Sequence, residues 1–194
     1  MERKPPDRRK QVVEAANRSF STFGYKATTM DQVAKLAGVG KGTIYTFFAN
    51  KEELFGEIMG AMTRELRQVA DETIVPGLSF VDNLMNVLNR LLDYRDRHEL
   101  TVKLAQEVRD IGTPMAKEAM DALERAIVGY IARHVKIAVD EGEIKRCDEN
   151  LTAYLMLKTY LAMTVESVHL REPMGKEQVL EHFRFYWMEG LAIR

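Results

Sequence analysis

A chain of 194 residues, 46% apolar and 29% charged, is long enough to bury a core without disulfides or structural metal; its single cysteine, Cys147, excludes an internal disulfide and a thiolate zinc site and points to a reducing compartment, the cytoplasm. The net charge of −1 hides an asymmetry: residues 1–51 hold ten Lys/Arg against four Asp/Glu, and the remainder 18 against 25, so the basic end has the electrostatic footprint of a phosphate-binding module, with a merely solvated face as the alternative. No run of about 18 uncharged apolar residues occurs and the first ten residues lack the apolar core of an export signal, so neither a membrane span nor export is expected.

Apolar residues recur at helical spacing along nearly the whole chain, with no alternating β-branched run, which predicts an all-α protein of about nine helices. The first runs from about Asp7 to Phe23, with Val12, Val13, Ala16, Phe20 and Phe23 on one buried stripe, and stops at Gly24. Thr29 opens the second, with Gln32 placed to complete a capping box, and Gly38 ends it. A short third helix spans about Lys41 to Phe47. Asn50, with Glu53 three residues on, caps a fourth that runs to about Thr73, before Pro76-Gly77. Ser79 opens a fifth through about Arg97, and a sixth covers about Leu100 to Ile111. A Thr113 cap and Pro114 at the first helical position start a long seventh, ending at Gly142. Asp148 caps an eighth extending to about Leu170, and a ninth follows Gly175 and ends near Ile193.

Residues 29 to 48 carry the functional signal. Two helices crossing steeply need a small residue where they touch, a glycine for a left-handed turn and apolar residues to lock the corner, and Ala34, Gly38, Val39 and Ile44 stand at those places. The outward face of the third helix is then left to Lys41, Gly42, Thr43, Tyr45 and Thr46, small and hydrogen-bonding residues suited to base edges in a major groove.

The stretch from about Arg9 to Phe55 resembles the tetracycline-repressor (TetR) family of bacterial regulators, through Ala15-Ala16, Phe20, Phe23-Gly24-Tyr25, Ala27-Thr28-Thr29, Val33-Ala34, Ala37-Gly38-Val39, Lys41-Gly42-Thr43-Ile44-Tyr45, Phe48 and Asn50-Lys51-Glu52-Glu53-Leu54. The resemblance implies an N-terminal three-helix helix-turn-helix DNA-binding domain (residues 1–50) and a C-terminal helical bundle for effector binding and dimerisation (51–194). It implies that Lys41 and Gly42 meet bases, that Thr43 and Thr46 lie on bases or nearby phosphates, and that Thr29, Tyr45 and Lys51 hold the DNA backbone. Lys51 sits in the first turn of its helix, where a cation opposes the macrodipole, so it is expected to serve something other than that helix. Gly40 stands where the family often has serine, and Phe47 replaces a residue that often touches DNA. Arg3, Lys4, Arg8, Arg9 and Lys10 form a basic arm that is either an added phosphate contact or a solvated tail.

Nine of the eleven methionines lie after residue 50, giving an adaptable interior that suits an apolar effector or is plain core filling. The family implies a pocket between the fourth and eighth helices, for which Met59, Met62, Tyr94, Met120, Tyr130, Tyr154 and Tyr160 are the candidates. By the same resemblance the eighth and ninth helices form a homodimer interface, with Phe183, Tyr186 and Trp187 as anchors. The function expected is that of a regulator, a repressor of double-stranded operator DNA released by a small molecule, with no cofactor. The rival is a helical-bundle metal enzyme, for which only one Glu-x-x-His pair, Glu166 with His169, is present.

Overall fold

The computed structural model describes residues 7–93, 99–166 and 174–191, and every regular element among them is helical. The helices are α1 (Arg8–Ala27), α2 (Met30–Ala37), α3 (Lys41–Tyr45), α4 (Lys51–Thr73), α5 (Phe80–Asp93), α6 (Glu99–Asp110), α7 (Pro114–Asp140), α8 (Glu149–Leu161) and α9 (Lys176–Leu191), with a π-helical turn, Ala162–Glu166, continuing α8. The expected ends of the fifth and eighth helices, at Arg97 and Leu170, lie outside the described residues, as do Tyr94, His169, Arg3 and Lys4.

Local chemistry accounts for most helix starts. The Asp7, Thr29 and Asp148 side chains each accept from a backbone N–H three residues on. Asn50 accepts from the Glu53 N–H at 2.8 Å, and the Glu53 carboxylate reaches back to the Ala49 N–H, one residue earlier than expected. Thr113 differs: its hydroxyl is buried and finds no hydrogen-bond partner among the described residues, so α7 begins on Pro114 without a side-chain cap. Gly38 ends α2 in the left-handed region (φ 65°), and its neighbour Val39 donates back to the Ala34 carbonyl.

The chain forms two compact units. One comprises residues 1–62 and 97–123, the other 63–96 and 124–194. The first is thus larger than a segment cut at residue 50, because α6 packs along α1. Its core holds Val12, Ala16, Phe20, Val33, Ile44, Phe48, Leu54 and Phe55, all buried. The rings of Phe20 and Tyr25 both meet Phe55, with centroids 5.0 and 4.8 Å away. Burying each such aromatic contributes roughly 1.5–3 kcal/mol. Phe23 departs from the expected stripe. Half of its surface is exposed, while Ala15 and Ser19 take the inward positions with Val12 and Phe20. The second unit is built on Met85, Leu88, Val135, Ala138, Ile144, Met156 and Phe183, with a smaller cluster of Leu92, Met163, Met174 and Val179.

Candidate functional site

The first unit positions α3 from behind. Ile44 is fully buried, and Ala34 is 4% exposed at the corner below it. With that face fixed, Lys41, Gly42, Tyr45 and Thr46 are exposed and Thr43 is half-buried. A side chain at position 42 would meet no atom within 4 Å, so packing does not require this glycine and its bare backbone faces open space. The Lys41 ammonium lies 2.9 Å from the Asp31 carboxylate on α2, which raises its pKa above the ordinary lysine value through that hydrogen bond first and the charge second. Thr46 donates its hydroxyl proton to the Thr43 carbonyl at 2.7 Å. The Thr29 oxygen is engaged in the capping box with Gln32.

Lys51 serves the neighbouring segment. Its ammonium donates to the carbonyls of Tyr25 (2.9 Å) and Thr28 (3.0 Å) and stands 4.1 Å over the Tyr25 ring. It therefore satisfies carbonyls at the end of α1, a use that sequence spacing does not reveal. Beside it, Tyr25 donates to Glu52, which holds that carboxyl below its usual range, while burial first and this bond second push the phenol up. Of the basic arm, Arg9 is already paired with Glu57 at 2.6 Å and stacks over Phe48.

Two acidic residues were missed in the sequence. Asp31 is one. The other is Glu107 on α6, 6% exposed, which accepts from the Lys26 N–H at 3.0 Å just beyond Gly24. Gly24 has φ 82° and ψ 176°, and a Cβ there would stand 2.2 Å from the Glu107 carboxylate. The glycine lets the chain turn and lets the acid approach; Thr28 closes the turn by donating to the Gly24 carbonyl.

The second unit holds an apolar cleft of about 320 Å3 between the α4–α5 connection, α5 and α7. Of the effector candidates among the described residues, Tyr130 lines it. Met59 is buried in the first unit, Met62 and Met120 are half-buried there, and Tyr160 packs against both clusters of the second unit. Tyr154 is exposed under Lys158. The cleft is lined by no methionine among the described residues; aliphatic side chains, Phe80, Tyr130 and His134 form most of its wall. Tyr130 donates to Asp71 at 2.6 Å, and its ring lies 4.7 Å from that of His134. Burial is the main cause holding the His134 imidazole below its ordinary pKa.

Of the dimer anchors expected, Phe183 is 1% exposed inside its own unit, and Trp187 stacks on it and packs into the same core. Tyr186 is 63% exposed, and the apolar side chains beside it in exposure are Phe185 on α9 and Leu151, Tyr154 and Leu155 on α8.

Residues 12–58 match the family model of bacterial regulatory proteins of the TetR type. The HTH-type transcriptional regulator YhgD of Bacillus subtilis is 46% identical over 186 residues, 96% of this chain and 97% of that one. The chain belongs to the TetR family. It is a helix-turn-helix transcriptional regulator, and the enzyme alternative falls with that finding. The HTH-type transcriptional repressor AcnR of Corynebacterium glutamicum is 22% identical over 147 residues, 73% of this chain and 71% of that one. Among solved structures, the fatty acid degradation regulator FadR of Bacillus halodurans has the same fold, with a TM-score of 0.75 at 16% identity over 94% of this chain and 95% of that one. Within this TetR-family regulator, α2 and α3 are the helix-turn-helix inside the matched region. No helix among the described residues is long and apolar enough to cross a membrane.

Proposed function

We propose that this regulator is a homodimeric repressor that reads double-stranded operator DNA with α3 and releases it when a small molecule occupies the cleft of the second unit. The observation that carries the reading is the short helix itself, with Ile44 buried behind and Lys41, Gly42, Tyr45 and Thr46 facing outward. Lys41 and Gly42 meet base edges, where an ammonium suits guanine O6 and N7. Thr43 and Thr46 lie on bases or adjoining phosphates. Thr29, Tyr45 and the third N–H of Lys51 hold the backbone.

Two recognition helices must enter successive major grooves about one helical turn apart, which a symmetric dimer provides. The face offered for dimerisation is Leu151, Tyr154 and Leu155, at i, i+3 and i+4 of α8, with Phe185 and Tyr186 of α9. Phe183 and Trp187 support that face from inside. Repression is favoured by the relative AcnR, named a repressor, and a cytoplasmic location by the single cysteine. Ligand binding lowers operator affinity by the difference in its affinity for the two states.

The test is selection of duplexes from a random pool by the purified protein, then titration of the enriched site by fluorescence anisotropy. A two-fold symmetric site is expected, with Lys41→Ala and Tyr45→Phe binding it at least about tenfold weaker at unchanged melting temperature. Failure to enrich any site, or wild-type affinity in both variants, overturns the assignment.

A further inference from the structure

The lining of the cleft is uneven in charge. Its wall is apolar, with Ile74, Leu84, Ile131 and Ile137 among the contributors, and among the described residues the charged side chains that line it are Glu141 and Glu143. Both are exposed at its edge. Glu143 is also held in place, since its carboxylate accepts from the Phe80 N–H at the start of α5. The polar groups deeper along α7 add no positive charge. Tyr130 is committed as a donor to Asp71, and burial first holds the His134 imidazole pKa below its ordinary value, against the pull of Asp71. Asn83 is occupied by the backbone of the α4–α5 connection, bonding Val75 and Leu78. Arg133 stands 5.8 Å over the Tyr130 ring but does not line the cleft.

We propose that the cleft of the second unit takes an organic cation with an apolar body, the body against the aliphatic wall and the ammonium at the Glu141 and Glu143 carboxylates. This rests on the effector reading above and deepens it by naming the ligand class. An acyl carboxylate placed in the same way would bring its charge against two like charges, whereas an ammonium there completes them. A volume of about 320 Å3 is at the small end of ligand cavities, which suits one short chain or ring system.

Calorimetric titration of the full chain with octyltrimethylammonium, 1-octanol and octanoate separates the possibilities, since the three share one apolar body and differ in charge. The cation is expected to bind tightest and octanoate weakest, with the cation's affinity alone falling as salt is raised. Glu141→Gln and Glu143→Gln, which keep an acceptor for the Phe80 N–H, are each expected to weaken the cation about threefold and together about tenfold, leaving octanol unchanged, as for exposed charges. Octanoate binding as tightly as the cation, an unaltered cation affinity in the double variant, or no binding by any of the three overturns the proposal. The selected operator site separates the two readings. If octanoate instead binds and displaces the DNA, the effector reading stands and the ligand class falls. If the cation binds through the glutamates while operator affinity stays fixed, the ligand class stands and the effector reading falls.

Discussion

At Gly24 two physical demands coincide. Its φ of 82° and ψ of 176° lie in a region essentially closed to side chains, and the Glu107 carboxylate occupies the space a Cβ would need. Gly24→Ala is therefore expected to lower unfolding stability by about 2–3 kcal/mol, read as a shift in urea midpoint at constant slope; a change under about 0.5 kcal/mol would contradict the argument. Lys41 illustrates a different residue-level logic. Its ion pair with Asp31 is exposed on both sides and adds little to stability, but in the proposed complex Asp31 competes with DNA for the same ammonium. Asp31→Asn should leave the melting temperature within about 2 °C and tighten operator binding by a few-fold, while Lys41→Ala weakens it. Anisotropy titrations of both variants check this, and weaker binding by Asp31→Asn would show that the carboxylate orients the lysine rather than sequestering it.

At the scale of helices, α8 and α9 each carry a buried side and an exposed apolar side, and substitutions on the two should fail differently. Phe183→Ala opens a hole among Met85, Val135 and Met156 and is expected to cost about 3–5 kcal/mol. Leu155→Glu, on the exposed side of α8, should leave the protomer folded and shift the dimer towards monomer in sedimentation velocity. A Leu155→Glu protein that stays dimeric would place the interface elsewhere. The same contrast explains what could be read from the chain beforehand. The Thr29 box, the Asp148 cap and the Gly38 stop are decided within four residues, and they stand where spacing puts them. The polar face of α3 was readable for a similar reason, because Ile44 fixes the rotation of a five-residue helix. Phe23 was misplaced because apolarity does not say which neighbour a side chain will meet; α6 decides that from about 80 residues away in sequence, as α5 settles the surroundings of Phe183 from about 100. Lys51 looked available because its acceptors, the Tyr25 and Thr28 carbonyls, carry no side-chain signature. The cleft was invisible for the same kind of reason, since its wall joins residues 74–87 to 130–143 through tertiary packing alone.

For the whole molecule, the decisive quantity is the distribution of charge rather than its sum. A chain of net charge −1 gains nothing from bulk attraction to DNA, so association must come from the basic excess within residues 1–51 acting at close range. Part of that excess is already engaged: Arg9 with Glu57, Lys10 near Glu14, Lys41 with Asp31 and two of the three N–H groups of Lys51 with carbonyls. If about three or four cations per protomer remain for phosphates, a dimer neutralises about six to eight, and log K should fall with log salt at a slope of about −5 to −7. Lys41→Ala, at a base edge rather than a phosphate, should lower operator affinity with little change in that slope. The acidic remainder, 18 basic against 25 acidic residues, adds a repulsion that salt also screens, which pulls the observed slope towards the shallow end of that range. Operator affinity measured between 50 and 200 mM salt decides the matter. A slope near zero would mean that the basic end does not meet the phosphates, and the placement of α3 in a groove would lose its electrostatic support.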